Sequence, residues 1–468
     1  MLRCSSTLRL GLFYVASATS VLAAVGTSCA FAQDDNTITT PDDYQEQPSA
    51  APADTEEGIP PESEDAPPSE PEVATLRDMF EQGTVDGNLR TLYYSSDNAF
   101  FTPNQDQDTV SVGGRLRFTT AELAGFTIQL AAYAQRQIDE SNDPSRNDSV
   151  LGNDVSTLGE AYIQWQTPDD MFQIRAGNQR LDAPFTSTTD WRIIPPLFQG
   201  VTMRYGTDDS YVTGMRITQF KSYINDEFDR TTTYNQKYAP FGPNTTERTD
   251  GFWAAGAGHT MNTGPVDLTG QAWFFNYMDY ANMYYVDGQI AKAEGSIKPF
   301  IGLQYIRATE EGDALLGEID HHTYGVQLGL KRNSLTATLN YDYIPHREGT
   351  FLNGSLVTPY QHNVSSGPYY AQPFLTSTQD LGSGSAYAFD IKGAPFDKVF
   401  AGARYSFMDL KPTAVSDSIN QQEYLVYGIY NFDGALEGLS IANFLGYQIS
   451  PVYEEDFLQN RLAIEYSF

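Results

Sequence analysis

The chain has 468 residues, with 60 acidic against 28 basic side chains and a formal net charge of −32. A pI near 4.3 excludes a phosphate-backbone binder, which needs a basic stripe, so nucleic acid is not expected as a partner. A mean hydropathy of −0.40 leaves no room for spanning helices of roughly 20 apolar residues each. The 30 Tyr and 27 Phe are too many for a chain without a core. What remains is a large, Tyr- and Gly-rich β protein.

Arg3 and Arg9 precede a mostly apolar stretch from Leu10 to Val25, and Ala30-Phe31-Ala32 presents small residues where a signal peptidase reads. Residues 1–32 are therefore expected to be a cleaved leader, with cleavage before Gln33. Both cysteines, Cys4 and Cys29, fall inside it, so the exported chain would carry no disulfide. A lipid-modified Cys29 is the rival reading, but Gly26-Thr27-Ser28 lacks the apolar residue expected before such a cysteine. Residues 33–75 hold 13 acidic residues, 8 prolines and no Lys or Arg. Such a segment cannot bury enough apolar surface to offset its ordering entropy and is expected to be a disordered periplasmic arm. It reads as a solvated tether or, alternatively, as an arm that meets a cationic partner. Thr75 to Gln82 fits one or two helical turns before the fold begins.

From Thr84 onward the apolar period is two. Val112, Gly114, Leu116 and Phe118 alternate with Gly113, Arg115, Arg117 and Thr119, and Leu335, Ala337, Leu339, Tyr341 and Tyr343 alternate with polar residues. Candidate strands begin near 84, 109, 126, 157, 171, 199, 210, 250, 265, 283, 299, 322, 335, 386, 397, 422, 438 and 459, an even set of 18. Short turns such as Thr167-Pro168-Asp169-Asp170 and Asn262-Thr263-Gly264-Pro265 alternate with long polar loops at 139–156, 181–198, 222–249, 310–321, 346–385, 410–421 and 450–458. The connection at 279–282 is short where a long one is due. Strands of about 10 residues with this alternation predict an all-β, transmembrane antiparallel barrel of 18 strands over residues 76–468, in a Gram-negative outer membrane among its lipid and lipopolysaccharide. The last strand agrees: Leu462, Ile464, Tyr466 and Phe468 share one face, and a terminal aromatic resembles the signal read by the barrel assembly machinery.

An enzyme reading finds little support. His259, His321, His322, His346 and His362 stand at no metal-ligand spacing, and His321-His322 falls at a loop. Acids in 139–156 suit a hard cation but form no EF-hand pattern, and a solvated loop is the plainer reading. No nucleophile motif, cofactor fingerprint or energy-coupling motif stands out. The arginines are more informative. Arg90, Arg115, Arg117, Arg175, Arg204 and Arg216 are read as lying opposite the apolar stripe of their strands. A charge facing lipid at mid-membrane costs about 2–4 kcal/mol, so these side chains are expected to line the lumen as a row that draws anions, with Arg404 and Arg461 extending it. The competing reading pairs them with lumen acids such as Asp86, Glu160, Asp342 and Glu465.

The passage Ala176-Gly177-Asn178-Gln179-Arg180-Leu181-Asp182-Ala183-Pro184 resembles the strand-to-loop passage of OprD-type porins, the outer-membrane carboxylate channels. Asp190-Trp191-Arg192-Ile193-Ile194-Pro195-Pro196-Leu197-Phe198-Gln199-Gly200-Val201 is similar to that family's next segment, and Phe80 to Gly83 with Arg90 to Tyr94 resembles the start of its barrel. The resemblance implies an 18-stranded barrel, a constriction made by inward-folded third, fourth and seventh loops, and an arginine ladder facing them. Substrates would be small and carboxylate-bearing. The acidic arm and Asn178, where a basic residue is expected, depart from the pattern.

Together these features describe a passive, substrate-selective porin that needs no cofactor. Asp190 and Arg192 mark the constriction loop, held by Pro195-Pro196, whose fixed φ limits backbone freedom. Alternatives are a general-diffusion porin without chemical preference and a structural or adhesive surface barrel. Monomer and homotrimer are both compatible with the pattern.

Overall fold

A computed structural model describes residues 73–139, 154–186, 188, 192–223, 225–235, 245–360, 369–371, 373, 382–412, 420–451 and 453–468. The expected leader, nearly all of the acidic arm, and Asp190, His362 and Phe374 lie outside the described residues.

A helix, α1 (Leu76–Glu81), opens the fold. Thr75 and Asp78 form a reciprocal capping box, which satisfies two otherwise orphan N–H groups. Eighteen antiparallel strands follow: β1 (Thr84–Asp97), β2 (Gln107–Thr119), β3 (Phe126–Asp139), β4 (Val155–Gln166), β5 (Phe172–Gln179), β6 (Leu197–Gly206), β7 (Ser210–Lys221), β8 (Phe252–Asn262) and β9 (Val266–Tyr277). The second half is β10 (Ala281–Lys292), β11 (Lys298–Glu310), β12 (Asp320–Arg332), β13 (Leu335–Ile344), β14 (Gly384–Phe396), β15 (Val399–Leu410), β16 (Asn420–Asn431), β17 (Leu439–Ile449) and β18 (Phe457–Ser467). Each strand begins within two residues of its expected start. β1 pairs with both β2 and β18, so the sheet closes and leaves no edge. Phe468 completes the seam by exchanging backbone hydrogen bonds with Gly87 at 2.9 and 3.0 Å.

Alternation assigns the two faces. Outward side chains such as Leu116, Leu130, Ile163, Leu303, Leu328, Leu339 and Val426 are exposed aliphatics, as a lipid-facing band requires. Above them runs an aromatic girdle with Trp253, Tyr284, Tyr305, Tyr324, Tyr387 and Tyr424, near the end that carries the long loops. The short connections at 207–209, 263–265, 333–334 and 397–398 share the opposite end with α1. His321 and His322 sit on β12 rather than in a loop. His321 is fully buried between Gly354 O at 2.7 Å and Thr323 Oγ1 at 2.7 Å, a structural role.

Candidate functional site: the lumen and its inward loops

The third outer loop, 180–196, turns into the barrel. Leu181 and Thr188 pin its neck through two hydrogen bonds, at 3.0 and 2.8 Å. Phe185 adopts a positive φ of 57°, a strained conformation for a bulky residue that persists only when its surroundings hold it. They do: its ring meets Tyr285 of β10 at 5.8 Å and Tyr369 of the seventh loop at 5.5 Å. Thr186 adds a 2.9 Å hydrogen bond to Tyr277 of β9. On the return leg Ile193 and Ile194 pack on Leu92, Tyr94 and Tyr133 of β1 and β3. Gly113 makes room there, since a Cβ would stand 2.6 Å from Ile193 Cγ2. The loop thus spans from one wall to the other.

The fourth loop, 222–251, and the seventh, 345–383, pack into the same space. Thr233 N donates to Pro359 O at 2.7 Å, and Thr358 N to the Tyr234 hydroxyl at 2.8 Å. The Tyr360 ring of the seventh loop meets Phe220 edge-on and Phe252 and Tyr277 at a tilt, with centroids 5.0–5.8 Å apart. Further along, Tyr370 lies over Gly302 and Gly325, where a side chain would collide with it or with Asp342. Asp342 accepts from Ala371 N at 2.6 Å, and Arg404 donates to Tyr370 O at 2.7 Å while pairing with Asp390 at 2.9 Å. Two strand charges therefore clamp the loop to the wall.

The arginines separate into three groups. Arg90 is buried against Glu465, and Arg115 and Arg117 share Asp86 at 3.5 and 2.8 Å. These three are inward-facing and ion-paired. Arg175 and Arg204 also face inward, but with different company. Arg175 donates to Gln164 Oε1 at 2.9 Å and covers the Tyr162 ring at 4.4 Å, with no carboxylate in contact among the described residues. Arg204 covers Tyr211 at 4.2 Å, and its carboxylate neighbour, Asp208 at 3.6 Å, sits on the exposed turn below. Of the other expected acids, Glu160 is held by Tyr133 and Gln129 instead.

Arg216 corrects the expectation. It stands opposite Val201 and Trp253, both outward, and leans on the Trp253 ring at 5.2 Å while donating to the Phe252 and Ile217 carbonyls. Its neighbours Met215 and Ile217 point inward and are buried. Arg216 belongs to the outer face, near the girdle, and not to the lumen row. Changing Arg216→Gln is expected to leave conductance and solute uptake as they are, because a permeating solute feels the nearest lining side chains. A liposome-swelling assay with charged and neutral solutes checks this. Selective loss of anionic solute uptake would return Arg216 to the path.

Arg192, in the third loop, lies 3.5 Å over the Tyr223 ring, and its carbonyl accepts from Arg90 Nη1 at 2.8 Å. Burial there lowers its pKa from the ordinary arginine value. Arg461 reaches Gln459 Oε1 at 3.2 Å and stands 5.8 Å from Tyr94. Lys331 and Lys392 also face the lumen, on β12 and β14, a placement that charge reading did not single out. Their parity with Thr336, which lies opposite both, was the available signal. Among the described residues no cluster of His, Cys, Asp or Glu is arranged to hold a metal ion.

The family described as outer membrane porin, OprD family, matches residues 77–378. No curated protein matches the chain. Among solved structures, Pseudomonas aeruginosa OpdK with vanillate is 16% identical, with a TM-score of 0.69 over 83% of this chain and 99% of its own. Pseudomonas aeruginosa OccK9 (OpdG) has a TM-score of 0.70 at 16% identity, over 83% of this chain and 99% of its own. A BenF-like porin from Pseudomonas fluorescens Pf-5 has a TM-score of 0.70 at 13% identity, over the same shares. At these identities the likeness speaks for the fold.

Proposed function

Because the chain belongs to the OprD family of outer-membrane porins, passive channels of the Gram-negative outer membrane rather than enzymes, we propose that it selects small carboxylate-bearing solutes. The observation that carries this reading is the pair Arg175 and Arg204. Both face the lumen, and their guanidiniums rest on Tyr rings and an amide instead of buried carboxylates. Gln164 accepts from Nε and Nη2 of Arg175 and the Thr207 carbonyl from Nη2 of Arg204, and the remaining N–H groups of each ring-backed guanidinium suit hydrogen bonding to a carboxylate. Arg90, Arg115 and Arg117 contribute less, since Glu465 and Asp86 already occupy them.

A second feature favours solutes that combine the carboxylate with a ring. Leu425, Tyr427, Ile429, Ala442 and Phe444 form an apolar inner wall on β16 and β17, and Phe444 stands beside Arg461 in the β17–β18 ladder. A ring sliding on this wall would lose little by leaving water while its carboxylate finds a guanidinium. Vanillate, with which OpdK was solved, is a solute of this kind.

The test is solute uptake by liposomes carrying an Arg175→Gln, Arg204→Gln double variant. Gln keeps polarity and removes charge. Uptake of an aromatic carboxylate should fall about tenfold, of the order expected from losing one charge-assisted hydrogen bond, while a neutral solute of equal size enters unchanged. Equal behaviour of both solutes would favour a general-diffusion porin.

A further inference from the structure

The lipid-facing wall of β11 and β12 changes character in three steps. Near the long-loop end it carries Arg307, Asp320 and His322, with Arg347 of the seventh loop beside them. Two residues down the strands, about 7 Å, stand Tyr305 and Tyr324, with Tyr343 of β13 opposite Tyr324 and Tyr284 of β10 opposite Arg307. Two residues further down come Leu303 and Val326, both exposed. The upper tier is a charge cluster built around one acid. Arg307 Nη1 donates to Asp320 Oδ1, His322 Nε2 lies 3.5 Å from the same oxygen, and Arg347 Nε stands 3.1 Å from Oδ2. A 3.0 Å hydrogen bond between the Tyr305 hydroxyl and Nδ1 fixes the His322 ring. The side-chain hydrogen bonds of Arg307 all run through Nη1. Its Nε and Nη2, and both Nη atoms of Arg347, meet no acceptor among the described residues, and the two side chains are 28% and 43% exposed. Of the nearby acids, Glu310 and Glu311 are turned to the Ile319 and Asp279 amides. Two guanidiniums around one carboxylate leave a local positive surplus in a chain of net charge −32.

We propose that this cluster binds a phosphate of the outer-leaflet glycolipid, the acylated and phosphorylated disaccharide of lipopolysaccharide. The order of charge, ring and aliphatic side chain matches such a lipid from headgroup to acyl chain. The phosphate takes the Nε–Nη2 edge of Arg307 and the Nη edge of Arg347, planar donor forks that suit two-point hydrogen bonding to an anion. Tyr305 and Tyr324 lie at the interface, where amphipathic rings settle. The acyl chain lies against Leu303 and Val326, in the apolar band. A soluble anion would make only the first of these contacts. Asp320 holds the two guanidiniums side by side against their mutual repulsion, and its single charge does not neutralise both. The site lies outside the lumen and is independent of which solutes the channel selects.

The test is native mass spectrometry of the full exported chain, released from detergent micelles that contain bisphosphorylated lipid A or its dephosphorylated form. The chain should retain the bisphosphorylated lipid. An Arg307→Gln, Arg347→Gln double variant should retain about tenfold less of it, of the order expected from losing a charge-assisted hydrogen bond, and as much of the dephosphorylated lipid as before. Arg136→Gln is the control: this outward arginine of β3 is taken up by Asp154, Ser156 and two backbone carbonyls, so lipid retention should not change. Inorganic phosphate in large excess should leave the lipid in place. Liposome swelling by a neutral solute checks that each variant folds. If the double variant does not fold, Arg347→Gln alone decides, with a severalfold loss expected, because this loop residue has a single ion pair to break. Equal retention by the wild type and the arginine variants, or an equal loss in Arg136→Gln, would overturn the proposal. So would displacement of the lipid by inorganic phosphate, which would make the cluster a site for the free anion. A two-chain species that the double variant loses would also overturn it, since the occupant would then be a second copy of the chain.

Discussion

Deletion of residues 184–190 should raise single-channel conductance severalfold. The segment contains Phe185 and Thr186, which carry the third loop's contacts with β9, β10 and the seventh loop. Phe185 is completely buried although it belongs to a loop. Burying a side chain of this size contributes on the order of 1.5–3 kcal/mol, and the aromatic contacts add ~0.5–1.5 kcal/mol each. Without them the loop loses its hold on β9, β10 and the seventh loop, and only its return leg at Arg192, Ile193 and Ile194 stays packed on the opposite wall. The single change Phe185→Gly should give an intermediate result, because glycine accepts that backbone conformation while the ring contacts disappear. Conductance measured in planar bilayers at high salt reads the open cross-section directly. Unchanged conductance in the deletion variant would place the narrowest point elsewhere, with the Tyr360–Tyr370 stretch of the seventh loop as its site.

The largest stability effect is expected at the barrel seam. Arg90 and Glu465 face each other across β1 and β18, with side chains only 4% and 1% exposed. Arg90 Nε donates to Glu465 Oε2 at 2.5 Å, Asn88 donates to the other oxygen at 2.8 Å, and Arg90 Nη1 reaches the Arg192 carbonyl. One network therefore joins the closing strands to the third loop. Glu465→Gln would leave a guanidinium buried without its counter-charge, at a cost of about 3–5 kcal/mol. The double change Arg90→Met, Glu465→Met removes both charges at similar volume and should recover most of that loss. Urea unfolding in lipid vesicles, followed by tryptophan fluorescence, measures both variants. If the double variant is as unstable as the single one, packing at the seam and not charge pairing sets its stability.

The same network limits how far charge counting along a strand can be carried. Arg90, Arg115, Arg117, Arg175 and Arg204 all face inward, yet only the fold shows that the first three meet Glu465 and Asp86. Glu465 is 375 positions from Arg90 and becomes its neighbour only because the barrel closes.

What the sequence determined by itself was the barrel. In a bilayer every backbone group must be paired, which leaves closed sheets or helices, and the two-residue period excluded helices. Alternating loop lengths then set strand number and direction, so strand starts were legible to within two residues. The interior was decided by tertiary structure. On β7 the apolar residues Met215 and Ile217 face inward, against the seventh loop's aromatic cluster around Tyr360, and Arg216 faces outward beside Trp253. The apolar stripe marks the lipid side only where the lumen holds water. Where inward loops fill the lumen with Phe185, Tyr360 and their partners, apolar residues are favoured on both faces, and a two-residue pattern no longer tells inside from outside.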